Sequence, residues 1–337
     1  MQTKLQDIAK ATGYSINTVS RALKGDTRIS EATRSVISKK AKELHYIPNA
    51  IASTMRSVHS RTIGVLSADS GNPFFSEVGR GIESEADNLG YHILLGSTEE
   101  SLAKEEALLT MFLSMRVDGI IAMPVYDTSA SHLELYQSLP VPFLFAGRSL
   151  PGLEDHCVLH DDRQGQKAVT DYLLESGHTH ILYLMGPKNV SNAWQRLEGM
   201  KSSFEEHGFE QDDEYLVSTD GHTEDGYAAM NQALNRGLEI TAVACFNDLL
   251  AMGVLKSLSE NGLSCPEDVE VVGFDNLYMS QFMEPSLTTV DVPKFRLGHT
   301  AMKKLVTHIE QPSEPYREEA LPIRMVFRES TRKRVIR

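Results

Sequence analysis

Residues Thr3–Gly25 read T-K-L-Q-D-I-A-K-A-T-G-Y-S-I-N-T-V-S-R-A-L-K-G, two short amphipathic stretches joined by a turn. Leu5, Ile8 and Ala9 share one face of a helix over Leu5–Ala11, and Gly13 ends it. Ser15 is a good N-cap for a second helix, Ile16–Leu23, which Gly25 stops. A third opens at Ser30 with Thr33 and Arg34 and spans Glu31–Leu44, with Val36, Ile37, Ala41 and Leu44 on one face. The first two helices form a helix-turn-helix. Helical geometry turns Ala9, Val19 and Leu23 inward and leaves Ser15, Ile16, Asn17, Ser20 and Arg21 near the exposed N-terminal face of the second helix.

Such a helix fits the ~12 Å major groove of DNA. Asn17 can read adenine, Arg21 can grip guanine bidentately, and Ile16 can rest on a thymine methyl. Lys4, Tyr14, Thr18 and Arg34 are placed for phosphates, which position without specifying. Charge points the same way. Residues 1–60 hold ten Lys and Arg against four acids, a surplus of +6, whereas the whole chain of 337 residues stands at −13 and the remainder therefore at −19. A basic head on an acidic body expects a polyanion at the head alone.

Next comes H-Y-I-P-N-A-I-A-S-T-M-R-S-V-H-S, His45–Ser60. Pro48 breaks the third helix and Asn49 can cap a short one over Ala50–Arg56, below the ~12–15 residues that an isolated helix needs in water. The expected organisation is a head over 1–46, a hinge over 47–60 and a core over 61–337. From Arg61 onward, continuous apolar strands alternate with helices, which predicts an α/β core with parallel sheets covered on both faces. Two series of five strands suggest two lobes: about 61–162 plus a crossover strand near 288–292, and about 163–287 with 293–325. In such sheets ligands sit beyond the C-terminal strand ends. The residues there are Asp69–Phe75, Gly147–Arg148, Asp161–Asp162, Asn189–Arg196, Asn247–Asp248 and Asp275–Asn276.

V-S-R-A-L at Val19–Leu23 and the linker Tyr46-x-Pro48-Asn49-x-x-Ala52 resemble the LacI/GalR family of bacterial transcription regulators. So do G-N-P-F-F (Gly71–Phe75), R-V-D-G-I-I (Arg116–Ile121), E-S-G-H (Glu175–His178), R-L-E-G-M (Arg196–Met200), F-N-D-L-L-A-M-G (Phe246–Gly253) and V-V-G-F-D-N (Val271–Asn276), so the resemblance covers essentially the whole chain. It implies a homodimer on a pseudo-palindromic operator in double-stranded DNA and a two-lobed core like the periplasmic binding proteins. It also implies a hinge helix that folds on DNA, bringing Asn49, Ala52, Met55 and Arg56 to the duplex, with Met55 at the minor-groove wedge position. Within the cleft it matches Arg196 and Asp275 to residues that bind effector hydroxyls.

That role suits a rigid donor fork and a carboxylate that accepts hydroxyl protons. Arg148 is the third charge at the cleft. Asp161, Asn247 and Asp248 can complete a polar lining, although Asp248 reads equally as a helix cap. Phe74, Phe75 and Trp194 can pack on a sugar face. Gly221 stands where purine-binding relatives carry an aromatic, so a sugar or sugar phosphate is the expected effector and nucleobase stacking is disfavoured.

Other classes fit poorly. No apolar run approaches the ~20 residues of a membrane span. The start, M-Q-T-K-L-Q-D-I-A-K-A-T-G, carries no export signal, and three scattered cysteines fit a cytoplasmic protein. No Walker loop, G-x-G-x-x-G, G-x-S-x-G or H-E-x-x-H occurs, and the twelve histidines lack ligand spacing, so neither catalysis, a metal nor a cofactor is expected. The rival readings are a sugar-binding protein of a transport system, which would not need the basic head, and a sugar-metabolising enzyme.

Overall fold

Three helices build the N-terminal unit: α1 (Leu5–Thr12), α2 (Ile16–Leu23) and α3 (Glu31–Glu43). A computed structural model describes residues 3–46, 59–125, 129–187, 190–313 and 315–332, and it divides after Ser60 into two units. The expected hinge helix, with Asn49, Ala52, Met55 and Arg56, lies outside the described residues. Gly13 closes α1 at φ 74°, and the Ser15 and Ser30 hydroxyls accept the Thr18 and Thr33 amides at 3.1 and 3.3 Å. Ile8, Val19 and Ile37 are fully buried where the helices meet. Val36, expected inward, is 50% exposed, because the inward stripe of α3 runs through Ile37 and Ala41 and turns its neighbour to solvent.

The second unit opens with five strands: β1 (Thr62–Ser67), β2 (His92–Ser97), β3 (Gly119–Ala122), β4 (Phe143–Ala146) and β5 (Cys157–His160). Helices α4 (Pro73–Leu89), α5 (Leu102–Ser114) and α6 (Ala130–Gln137) connect the first four. The second series has β6 (Ile181–Met185), β7 (Leu216–Ser218), β8 (Ala242–Cys245) and β9 (Glu270–Val272), with α7 (Asp162–Glu175), α8 (Ser191–Glu206), α9 (Thr223–Asn235) and α10 (Asp248–Glu260). The chain ends through β10 (Thr289–Asp291), α11 (Lys294–Glu310), β11 (Glu319–Leu321) and β12 (Arg324–Val326). The first sheet is parallel in the order β11-β5-β4-β3-β1-β2, and the second in the order β7-β6-β8-β9. Every residue of β3, β4 and β5 is buried, as strands covered on both faces must be.

The sheets therefore hold six and four strands, not five and five, and the C-terminal part of the chain is shared differently from the expectation. Helix α11 packs on α4 and on β3, β4 and β5, and β11 pairs with β5, so residues 294–321 complete the first lobe. Residues 288–291, expected there, instead lie against the second lobe. They bridge Val272 and Asp275, and β10 pairs with β12. Strand–helix alternation shows that a helix covers a sheet but not which sheet it returns to.

Helices α4 and α11 touch backbone to backbone. A Cβ on Gly81 would stand 2.0 Å from the Phe295 carbonyl oxygen, and one on Gly298 2.0 Å from that of Val78. Gly79, on the same helix pair, faces open space. Gly298→Ala should therefore cost about 1–3 kcal/mol by forcing the helices apart. Gly79→Ala should stabilise by up to about 1 kcal/mol through helix propensity. Urea denaturation checks the opposite signs.

Candidate functional site

Loops at the C-terminal strand ends of both lobes enclose a cavity of ≈ 500 Å³. Of the expected residues, Phe74, Phe75, Arg148, Arg196, Asn247 and Asp275 line it. Two do not. Asp161 is an exposed N-cap of α7, its carboxylate accepting the Gln164 amide at 3.0 Å. Trp194 is 61% exposed, since Asn192 and Arg196 share the cleft face of α8 and the residue midway between them points away. Asp248 also stays off the surface. It accepts the Leu277 amide at 2.7 Å and the Thr289 hydroxyl at 2.6 Å, while Asn247 caps α10 through the Leu250 amide and ties down the Gly221 carbonyl at 2.9 Å.

The sequence reading missed Glu99 and Glu100, after β2, and Asp220 and His222, after β7, all of which line the cavity. The strand-end rule points to them once it is applied to these two strands as well.

Arg196 forms the floor. Only 1% exposed, its guanidinium lies 3.5 Å from the Phe274 ring centre and 4.5 Å from that of Phe246. It donates to Asp162 at 2.6 Å and to the Phe246 carbonyl, and sits 3.5 Å from His160 Nε2. What remains faces Asp275 Oδ1 at 3.6 Å. Burial raises the Asp162 carboxyl, but His160 and Arg196 outweigh it and hold the group below its usual range.

Asp275 differs. It is 5% exposed, lines the cavity, and its carboxylate accepts no hydrogen bond from the described residues. Its backbone is held at φ 108°, a region where non-glycine residues are strained, by an amide bond to the Val290 carbonyl at 3.0 Å and by Lys294 on its own carbonyl. Burial pushes its carboxyl up to about 6 against the pull of Arg196, Lys294 and His160. Burial, then the nearby Asp275, pushes Asp248 up to about 7. A buried acceptor at a cavity wall, beside Arg196 but without a hydrogen bond from the described residues, is ready for a ligand hydroxyl or amine.

On the first lobe, Arg148 lies over Phe75, 5.4 Å from its centroid, and makes a two-point bond to Glu100 at 2.7 and 3.0 Å plus one to the Pro124 carbonyl at 3.1 Å. Phe74 meets Phe75 edge-on at 5.3 Å.

In the head, Ser15, Ile16, Asn17 and Arg21 are exposed on α2, and Lys4 is exposed at the start of α1. Tyr14 and Thr18 are half-buried, with the Thr18 hydroxyl bonded to Ser15 at 2.9 Å. Arg34 is half-buried and bonds the Ile29 carbonyl at 3.2 Å, which makes it a brace for the turn before α3 as well as a charge.

Residues 4–49 match the family model for bacterial regulatory proteins of the lacI family, and residues 60–332 match that for periplasmic binding proteins and the sugar binding domain of the LacI family. The chain belongs to the LacI family. It is 34% identical over 312 residues to the HTH-type transcriptional repressor PurR of Erwinia tasmaniensis, covering 92% of this chain and 91% of that one. A Lac repressor dimer bound to operator and an anti-inducer superposes with a TM-score of 0.88 at 26% identity, over 98% and 99% of the two chains. A LacI family regulator from Enterococcus faecium with bound ribose superposes with a TM-score of 0.70 at 32% identity, over 80% and 98%. This LacI-family chain is thus a DNA-binding transcription regulator with a helix-turn-helix head and a ligand-binding core. A transport protein would have no use for the head.

Asp275 gives a stability test. With its folded pKa above the unfolded 3.8, the native state takes up a proton as pH falls below about 6, so this group costs stability that grows as pH rises from about 4 to about 6. Asp275→Asn should stabilise the ligand-free protein above pH 6 by on the order of 1–2 kcal/mol, and the gain should vanish near pH 4. Thermal unfolding across pH measures both.

Proposed function

We propose that this regulator is a cytoplasmic, homodimeric repressor whose operator affinity is set by a small hydroxylated, carbohydrate-like effector in the interlobe cleft. The observation that carries the effector class is the Asp275 carboxylate, buried and without a hydrogen bond from the described residues, in a cavity that also presents Phe74 and Phe75. Bound ribose in the Enterococcus faecium relative supports it. Relatives that are repressors, and the absence of catalytic motifs, support a non-enzymatic role. Among the described residues no helix is long and apolar enough to cross a membrane. The dimeric Lac repressor supports a dimer, and Tyr278, Met279 and Phe282, 70%, 53% and 60% exposed, offer an apolar surface to a second copy.

An effector alters DNA affinity only by binding the DNA-competent and incompetent states unequally. The cleft suits this, because Phe74 and Arg148 come from the first lobe and Arg196 and Asp275 from the second, so one ligand can bridge them. Thermal-shift screening of the full chain against uncharged sugars should yield a ligand that stabilises by about 2.7 kcal/mol at a hundred times its Kd. That ligand should change operator affinity in wild type, and Asp275→Ala should lose the response while keeping the fold and the operator preference. A retained response removes Asp275 from the site.

At the head, Arg21→Ala should lower operator affinity by about 1–3 kcal/mol and relax preference at one base pair per half-site. Lys4→Ala should weaken operator and random DNA alike. Equal losses on both DNAs for Arg21→Ala would end its assignment as a base reader.

A further inference from the structure

Among the described residues two guanidinium groups line the cleft, and neither is open to a ligand anion. Arg196 is spent on Asp162, the Phe246 carbonyl and two aromatic faces. Arg148, whose side chain is 10% exposed, has both terminal nitrogens on the Glu100 carboxylate and one also on the Pro124 carbonyl. Around them stand, among the described residues, five carboxylates, Asp69, Glu99, Glu100, Asp220 and Asp275.

Glu100 is not there by slack. Glu99 and Glu100 both take left-handed backbone, φ 49° and 55°, a conformation that disfavours residues with a Cβ and that persists only where surroundings enforce it. The Glu100 amide donates to the Ala68 carbonyl at 3.0 Å, which fixes the turn beyond β2 and delivers the carboxylate across to Arg148. A bidentate carboxylate occupies the same fork that a phosphate or carboxylate ligand would need.

We propose that Glu100 is a specificity residue, a built-in counter-anion that saturates Arg148 and makes the cleft refuse phosphate- and carboxylate-bearing ligands in favour of neutral or cationic hydroxylated ones. This rests on the cleft being the effector site, and it removes the sugar phosphate from the two effector classes that the sequence left open. Glu100 substitutes for the ligand's anion within the chain itself, so an incoming phosphate must break a two-point pair and then face Asp69, Asp220 and Asp275. A neutral sugar needs neither step, and an amine gains from the surrounding carboxylates.

The test is calorimetric titration of the full chain with inorganic phosphate and with glucose 6-phosphate, for wild type, Glu100→Gln and Glu100→Ala. Circular dichroism confirms folding of each variant. Wild type should bind neither anion measurably, and both variants should bind glucose 6-phosphate at least about tenfold more tightly than wild type. Adding Arg148→Met to Glu100→Gln should abolish the gain. Wild-type binding as tight as that of the variants overturns the proposal. So do folded variants that gain nothing, or a gain that survives loss of Arg148. A chain that binds no uncharged sugar would refute the cleft reading instead, and the comparison of wild type with the Glu100 variants would still decide what Glu100 does.

Discussion

A charged side chain sealed between two aromatic rings governs the core. Arg196 could not be buried at 1% exposure without partners, because an unpaired guanidinium in that setting is prohibitive. Its partners come from separate places: Asp162 from the start of α7, His160 from the end of β5, the Phe246 carbonyl from the loop after β8, and Phe274 from the segment after β9. One residue thus fixes three strand ends, those of β5, β8 and β9, relative to each other, including the point where the chain leaves the first lobe for the second. The cavity wall formed by Asp275 stands on this arrangement.

The head was readable because its determinants are local. Capping serines, Gly13 and a 3.6-residue apolar period act within a few residues of chain, and the structure places α1, α2 and α3 where those signals put them. The cleft was readable in part. The rule that ligands gather beyond strand ends found Arg148, Arg196, Asn247 and Asp275, yet it could not say which side of α8 faces inward, and so it included Trp194. Asp161 was misassigned because its chemistry serves a helix cap as readily as a ligand. The return of α11 to the first lobe was out of reach, since the contacts that decide it, Gly81 and Gly298 against opposing backbone, span more than two hundred residues.

The carboxylates show the cost of keeping a receptive cavity. Asp162, held by His160 and Arg196, is ionised comfortably, whereas Asp248 and Asp275 are pushed up to about 7 and about 6 by burial. Asp248 has bonds that fix the 277 loop and Thr289, so its strain supports structure. Asp275 has no comparable return within the ligand-free protein. Sites that bind commonly carry such local deficits, which a partner relieves.

The placement of α11 and β11 has a topological consequence. The polypeptide passes between the lobes near 160–162, again near 291–294 and a third time near 321–324, so neither lobe is a contiguous piece of sequence. A single backbone cleavage at any of these passages leaves the lobes joined by the other two, and neither lobe can be expressed as one uninterrupted fragment. Three parallel connections also confine relative movement: the lobes can bend about them but cannot swivel freely as beads on one string would.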